Sequence, residues 1–192
     1  MTDVALDPRV ERTRAGALDA AMAVAIAEGW DAVNQHRVAE AANLGRATVY
    51  RHWPDRMELL RDAIRHASSR ITTALETTGD VRRDLETALT LLAIGLDQFH
   101  LGTVLSGLMD RAERDPAINA IKLDVLHESL VPFRRVFEVA VDAGELRADV
   151  DVDRECATLI GPVLYRRLLT GEPLTPAFLS AVVDDFLAVN AP

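Results

Sequence analysis

Apolar residues recur along this chain every three or four positions, which is the spacing of α-helices, and they do not alternate with polar residues as in strands. Glycine and proline residues divide the pattern into segments. The spacing predicts a first helix ending near Glu28, two short helices before Pro54, and a long fourth helix ending before Gly79. Five more helices are predicted over about residues 81–101, 103–114, 116–143, 152–170 and 175–190, the third of them kinked at Pro132. The sequence therefore predicts an all-α fold of about nine helices.

Residues 38–53 predict two short helices joined by a tight turn. Asn43-Leu44-Gly45 interrupts the first helix, because Asn and Gly tolerate the left-handed backbone region. Val49 and Trp53, four apart, form the inner side of the second helix. Its outer side carries charged, hydroxyl and imidazole groups on Arg46, Thr48, Tyr50, Arg51 and His52. Such a helix suits the major groove of DNA, although a helical hairpin with a solvated charged face would have the same apolar spacing.

The residue types in this region resemble the DNA-binding region of the tetracycline-repressor (TetR) family. The matching positions are Gly29-Trp30, Val33, Val38-Ala39, Ala42, Leu44, the run Thr48-Val49-Tyr50-Arg51-His52-Trp53, and Leu59-Leu60. Asn43 stands where the family usually has a turn glycine, and Arg56 stands where lysine is usual. The resemblance is close over about residues 10–65. A weaker one, over Gly144 to Leu174, is to one type of C-terminal domain in the same family.

The resemblance implies a helix-turn-helix domain of three helices, with its N-terminal arm, over residues 1–55. Residues 56–192 would then hold a linking helix and a C-terminal helical bundle for ligand binding and dimerisation. Such a protein is a homodimer that binds double-stranded operator DNA and is released by a small-molecule effector. Repression is implied by analogy, since a transcriptional activator would use the same parts.

Ten residues are predicted to contact DNA. Asn34 is a candidate N-cap, and the free amides of a helix start can hold a phosphate, so Asn34, Gln35 and Arg37 are predicted phosphate contacts. We expect Arg46 and Thr48 to approach base edges, Tyr50, His52 and Arg56 to hold phosphates, and Arg51 to do either. The full set is Asn34, Gln35, Arg37, Arg46, Ala47, Thr48, Tyr50, Arg51, His52 and Arg56. The preceding Arg9, Arg12 and Arg14 belong either to a solvated terminus or to an arm that touches DNA.

The fourth and the last predicted helices carry further signals. One apolar stripe on the fourth helix, which would link the two domains, comprises Leu60, Ile64, Ala67, Ile71 and Leu75. Apolar positions of the last helix spread over roughly 180°, whereas burial on one side needs little over about 100°. This excess predicts burial against a second copy as well as the protomer's own core. The predicted dimer interface is Ile160, Val163, Leu164, Leu168, Phe178, Val182 and Phe186.

Composition changes this picture little. The net charge is −9, but residues 1–66 hold 9 Arg and 10 Asp or Glu (−1), and residues 67–192 hold 12 Lys or Arg and 20 Asp or Glu (−8). The acidity therefore lies outside the predicted DNA-binding domain. The single cysteine, Cys156, excludes an internal disulfide, and we expect it to be a small buried hydrophobe. The first residues lack a secretory pattern and the longest uncharged run has 12 residues (98–109), so we expect a cytoplasmic protein without a membrane partner.

The sequence offers no catalytic constellation, and we expect no cofactor and no metal. Asp124 and His127 have a metal-like spacing, but a di-metal helical bundle needs a second such pair. Candidates for an effector pocket are Phe99, His100, Met109, His127, Phe133, Phe137 and Tyr165, although the aromatic residues among them also suit an ordinary core. The alternative function is a helical enzyme or metal-binding bundle whose N-terminal hairpin is only structural.

Overall fold

The computed structural model describes residues 8–72, 76–98 and 100–192, without the side chains of residues 70–72. Within these ranges the chain is helical and contains no strand, which confirms the predicted all-α fold. The α-helices are α1 (Pro8–Glu28), α2 (Gln35–Ala41), α3 (Arg46–His52), α4 (Arg56–Thr72), α5 (Val81–Gln98), α6 (Leu101–Ala112), α7 (Pro116–Ser129), α8 (Val131–Asp142), α9 (Val152–Leu164) and α10 (Pro176–Asn190). A short 3-10 turn (Trp30–Ala32) precedes α2, and a π-helical segment (Tyr165–Thr170) continues α9.

The chain forms two compact units. The first comprises Met1–Ser69 and Thr103–Val125, and the second comprises Arg70–Gly102 and Leu126–Pro192. In the first unit, the inner sides of α1 to α4 bury their apolar residues together with those of α6 and α7. Its core residues include Leu18, Met22, Trp30, Val38, Val49, Trp53, Leu59, Leu60, Ile64, Val104, Leu108 and Ile121.

The second unit is built around α5, α8, α9 and α10. Its core includes Leu85, Leu89, Val136, Leu159 and Val183. The rings of Phe137 and Phe186 stack within it with centroids 5.3 Å apart.

The region 116–143 differs from the prediction of one kinked helix. The structure has two helices there, because α7 ends at Ser129 and α8 begins at Val131. Pro132 lies in the first turn of α8, where its missing N–H costs no hydrogen bond and its fixed φ favours the start of a helix. Pro132 therefore marks a helix start, not a kink, and the break adds one helix to the expected number.

The predicted stripe on α4 is described only in part. Leu60 and Ile64 are buried and Ala67 is half-buried. Leu75 and the side chain of Ile71 lie outside the described residues. The proposed linking role of the far end of α4 therefore stays a prediction.

No single helix in the described ranges is long and apolar enough to cross a membrane. By length and composition alone, α5 and α6 would pass the same test only when taken as a pair.

Cys156 is fully buried in the second unit, which confirms the prediction that it is a small buried hydrophobic residue. Burial raises the pKa of its thiol from 9.0 to about 11, with a small opposing effect of Arg134. An acid that holds its proton more tightly when folded contributes stability that is complete below its unfolded pKa. That contribution is lost as the pH rises from about 9 to about 11.

We therefore expect Cys156 to resist alkylation in the folded protein at pH 8. Its thiolate fraction should be about a hundredfold below that of an unfolded thiol, and burial excludes the reagent as well. Iodoacetamide labelling followed by mass spectrometry measures this, with the same reaction in denaturant as the control. Complete labelling in native buffer within the time needed for the denatured sample would contradict the burial described here.

Candidate DNA-binding interface

The turn between α2 and α3 has the predicted geometry. Asn34 caps α2, since its Oδ1 accepts the Arg37 N–H at 2.9 Å, as expected of an N-cap. Asn43 adopts the left-handed conformation (φ 52°) that its place in the turn requires. The Leu44 N–H then donates to the Ala39 carbonyl at 2.9 Å, which closes the end of α2. The sequence thus forms two short helices joined by a hydrogen-bonded turn.

The inner side of α3 is held by buried apolar and polar contacts. Val49 and Trp53 are almost fully buried, as their spacing predicted. The Trp53 indole N–H donates to Asp62 Oδ2 at 2.9 Å, and Arg14 pairs with the same carboxylate. The Gln35 amide donates to the carbonyls of Trp53 (3.0 Å) and Pro54 (3.2 Å). Side chains from α1, α2 and α4 therefore fix the C-terminal end of α3.

The outer side of α3 is open to solvent. Arg46, Ala47, Tyr50 and Arg51 are exposed, with 63% of the Arg46 side chain and 49% of Tyr50 accessible. Thr48 and His52, which are half-buried, flank this surface. The nearest acid to Arg46 is Glu40, at 3.9 Å between Nη2 and Oε1, and an exposed pair at that distance is weak. The structure thus gathers two arginines and two hydroxyls on one short helix.

Two of the predicted phosphate contacts have other partners in the fold. Gln35 is buried, and its amide is used on the end of α3. The Arg56 guanidinium donates to the carbonyls of Val33 (Nε) and Trp30 (Nη2), both at 2.7 Å. A phosphate contact by either side chain would have to share or exchange these donors, so both contacts stay predictions. The sequence could not indicate these internal partners, since they depend on how the segments pack.

Arg37 keeps an accessible position at the start of α2 but shares its charge with Glu28. Its Nε lies 3.1 Å from both carboxylate oxygens, and its Nη2 lies 2.5 Å from Oε1. These hydrogen bonds lower the pKa of Glu28 below its usual value, so the pair stays charged at neutral pH. A phosphate at this helix start would compete with Glu28 for the guanidinium.

The basic residues before α2 divide into structural and accessible ones. Arg14 is structural, since it pairs with Asp62 and lies 5.7 Å from the centre of the Trp53 ring. The Nε of Arg12 donates to the Pro8 carbonyl at 3.2 Å within α1. Arg9 and Arg12 are exposed in the first turns of α1, and the suggested DNA contact by them stays a prediction.

The candidate effector residues fall into different environments. Met109 belongs to the first unit and is partly exposed. In the second unit, Phe133 and Phe137 are core residues, as the competing interpretation held, and His100, His127 and Tyr165 are exposed. Phe99 lies outside the described residues.

Four of the predicted dimer residues belong to the protomer's own core. Ile160, Val163, Val182 and Phe186 are buried, whereas Leu164, Leu168 and Phe178 are half-buried. The Arg166 guanidinium lies 4.4 Å from the centre of the Phe178 ring.

Small and apolar residues lie on the exposed side of α9, its π-helical continuation and α10, beside exposed Arg154, Thr158 and Asp185. We call this surface the α9–α10 face; it comprises Ala157, Gly161, Pro162, Leu169, Ala181 and Val189. Leu169 and Val189 are 71% and 66% exposed. A groove of about 500 Å³ runs between α9 and α10 on this side.

Metal-binding geometry is not found in the described part of the chain. No group of three or more His, Cys, Asp and Glu side chains there could hold an ion. Asp124 lies 3.5 Å from the Nε of Arg61, and His127 is exposed on α7.

Comparisons with known proteins agree with this architecture. Residues 17–63 match the family described as bacterial regulatory proteins, tetR family. Residues 75–186, more than half of the chain, match the tetracyclin repressor-like C-terminal domain.

Individual relatives cover nearly the whole chain. The DNA-binding transcriptional repressor TetR of Mycobacteroides abscessus is 31% identical over 183 residues, covering 94% of this chain and 95% of that protein. A TetR family transcription regulator of known crystal structure is 27% identical, with a TM-score of 0.74 and coverage of 94% of this chain and 100% of that one. A regulator from Saccharomonospora viridis, crystallised with choline, has the same fold with a TM-score of 0.66 at 18% identity, covering 95% and 99% of the two chains. The resemblance seen in the sequence is therefore confirmed, and the chain belongs to the TetR family of DNA-binding transcriptional regulators.

Proposed function

We propose that this protein is a homodimeric repressor that reads operator DNA with α3 and leaves it when a small-molecule effector binds. DNA binding is supported most directly by the outer side of α3, which is accessible and presents Arg46, Thr48, Tyr50 and Arg51. The named repressor from Mycobacteroides abscessus, similar over nearly its whole length, supports repression rather than activation. We expect this activity in the cytoplasm, where the operator would be available.

The two ends of α3 would have different roles in the complex. Arg46, Ala47 and Thr48 at its start would approach base edges in the major groove, because recognition helices read bases with their N-terminal residues. Tyr50, Arg51 and His52 would hold phosphates beside the groove. Asn34 and Arg37 would place the start of α2 at a second phosphate, with Arg37 exchanging Glu28 for the phosphate oxygens.

The dimer would form through the α9–α10 face. Its small residues allow the backbones of two copies to approach closely, while Leu169 and Val189 supply exposed apolar surface. The larger predicted residues, such as Val163 and Phe186, would support this face from within the protomer. A fixed dimer is needed because two recognition helices must reach half-sites about 34–36 Å apart, or a multiple of one turn.

The effector would bind in the C-terminal domain. The choline complex of the Saccharomonospora viridis protein supports a small-molecule effector for this fold, without indicating its chemistry here. Binding that shifts α4 would change the spacing of the two recognition helices. Such coupling is reciprocal, so operator DNA should weaken effector binding by the factor by which the effector weakens operator binding.

The test is selection of bound duplexes from random DNA by the purified protein, followed by a reporter assay with the selected sequence. We expect one enriched sequence with two-fold symmetry, and lower reporter expression when the protein is present. Raised expression would identify an activator instead. Failure to enrich any sequence, together with bound metal in the purified protein, would favour the helical enzyme or metal-binding bundle.

Arg51 provides a quantitative check on the phosphate contacts. Replacing it by alanine should weaken binding to all sequences alike, because a phosphate contact carries no sequence information. The slope of log K against log salt should fall by about one. Fluorescence anisotropy at several salt concentrations measures both quantities. Arg135→Ala, an equal charge change at an exposed site of α8, is the matched control. An unchanged slope in Arg51→Ala would remove Arg51 from the phosphate contacts.

A further inference from the structure

Trp30 is a buried residue of the first unit that joins α6 to the segment leading into α2. Its indole N–H donates to the Val104 carbonyl of α6 at 3.0 Å. Three residues further along α6, Gly107 faces the same ring. A Cβ at Gly107 would lie 2.7 Å from the Trp30 Cδ1 and 2.8 Å from its Nε1, distances that real Cβ atoms essentially never show. The absence of a side chain at Gly107 therefore allows the indole to pack directly against α6.

The backbone around Trp30 is held from two more directions. The Arg56 guanidinium donates to the Trp30 and Val33 carbonyls, at 2.7 Å each. Arg111, one turn beyond Gly107 on α6, pairs with both carboxylate oxygens of Asp31. Residues 30–33 are thus fixed to α4 by Arg56 and to α6 by the indole and by Arg111.

The same segment determines where the recognition helix lies. It runs directly into Asn34, the cap of α2, whose Nδ2 donates to the Ala32 carbonyl at 3.1 Å. The next residue, Gln35, holds the C-terminal end of α3 through the carbonyls of Trp53 and Pro54. A displacement of Trp30 would therefore reach α3 through a continuous chain of covalent and hydrogen bonds.

We propose that Trp30, seated on α6 at Gly107, is a positioning residue for operator reading. The inference rests on the proposed DNA-binding function. Trp30 is 5% exposed and so acts without touching DNA. It sets the orientation of α2 and α3 on which base contacts depend, whereas phosphate contacts tolerate small shifts.

A positioning role for Trp30 predicts a change in DNA affinity that a purely stabilising role does not. Loss of folded protein lowers operator binding and non-specific binding by the same factor. A misplaced but folded α3 lowers operator binding more, because base contacts need an accurate fit whereas non-specific binding depends on charge. The ratio of the two affinities therefore separates positioning from stability.

Gly107→Ala tests whether the packing of Trp30 on α6 matters for operator binding, because the added methyl group must displace the indole. The matched control is Gly16→Ala, a glycine-to-alanine change in α1 of the same unit with no atom within 4 Å of the added Cβ. We expect Gly107→Ala to bind the selected operator on the order of tenfold more weakly, and a random duplex at low salt within about twofold of wild type. Its tryptophan emission should shift to the red as the indole leaves its buried site, whereas Gly16→Ala should match the wild type in all three measurements.

Trp30→Phe is the second variant and keeps the proposal testable if Gly107→Ala does not fold. It retains an aromatic ring but removes the donor to Val104, so the same selective loss of operator affinity is expected. Equal losses in operator and random-duplex binding, or no loss in either variant, would overturn the positioning role alone. A wild-type protein without sequence preference would overturn the proposed function and this inference with it.

Discussion

A glutamate in place of Ala181 should convert the protein to a monomer and remove high-affinity operator binding. Ala181 is exposed on α10 and lines the groove of the α9–α10 face. The substitution therefore leaves the protomer's own core intact, while a second copy would have to bury the new carboxylate. Burying an unpaired charge in an apolar interface is strongly unfavourable, so association should fail.

The expected loss in operator affinity follows from losing the second half-site. Two linked recognition helices bind with about 10²–10⁴-fold higher affinity than one, provided that both half-sites can be reached. Light scattering after size-exclusion chromatography gives the mass, and titration of full and half operators gives the affinities. We expect the variant to bind both duplexes with similar weak affinity.

Ala117→Glu is the matched control for this substitution. Ala117 is exposed in the first turn of α7, in the unit that does not contain the α9–α10 face, and an acidic residue is favourable at a helix start. It makes the same change in net charge and should leave mass and affinity unchanged. A wild-type monomer at micromolar concentration, or a dimeric Ala181→Glu variant with full operator affinity, would contradict the proposed interface.

The local parts of the fold could be predicted because their causes are local. Asn43 adopts φ 52° and Asn34 caps α2, and both preferences belong to the residue types themselves. Val49 and Trp53 face inward because their spacing leaves no other apolar side on α3. These features predicted two short helices and their turn, and the residue types shared with the TetR family were needed to identify a helix-turn-helix.

Features that depend on packing between distant segments could not be predicted. Arg56 has the residue type of a phosphate contact, yet the carbonyls of Trp30 and Val33 lie within its reach in the folded unit. The close approach of Gly107 to Trp30 joins segments more than seventy residues apart. No pattern within either segment indicates such a contact.

The dimer prediction shows a limit of periodicity in particular. A wide apolar arc on the last helix indicates burial on two sides, but it does not say which residues face which side. In the structure Phe186 and Val183 face the protomer's core, whereas Ala181 and Val189 remain exposed. Val183 and Val189 have the same side chain, so the packing of α10 against its neighbouring helices, and not the residue type, decides which of them is buried.

Arg46→Ala should relax sequence preference at one position of each half-site. Arg46 begins α3, where the N-terminal residues of a recognition helix meet base edges, and its exposed guanidinium makes a loose contact with Glu40 at 3.9 Å. A bidentate arginine–guanine contact contributes about 1–3 kcal/mol of discrimination against the other bases. We therefore expect selection with this variant to return the same operator with one position per half-site no longer specified.

Two matched variants separate base reading from charge at this site. Glu40→Gln removes the partner of Arg46 without touching the guanidinium, and it should leave the selected sequence unchanged. Arg51→Ala removes an equal charge five residues along the same helix, and it should weaken all sequences alike while the consensus stays intact. If Arg46→Ala behaved as Arg51→Ala does, with a uniform loss and a full consensus, Arg46 would be a phosphate contact. The bases would then be read by Thr48 and its neighbours, which requires α3 to lie in the groove rotated from the orientation proposed here.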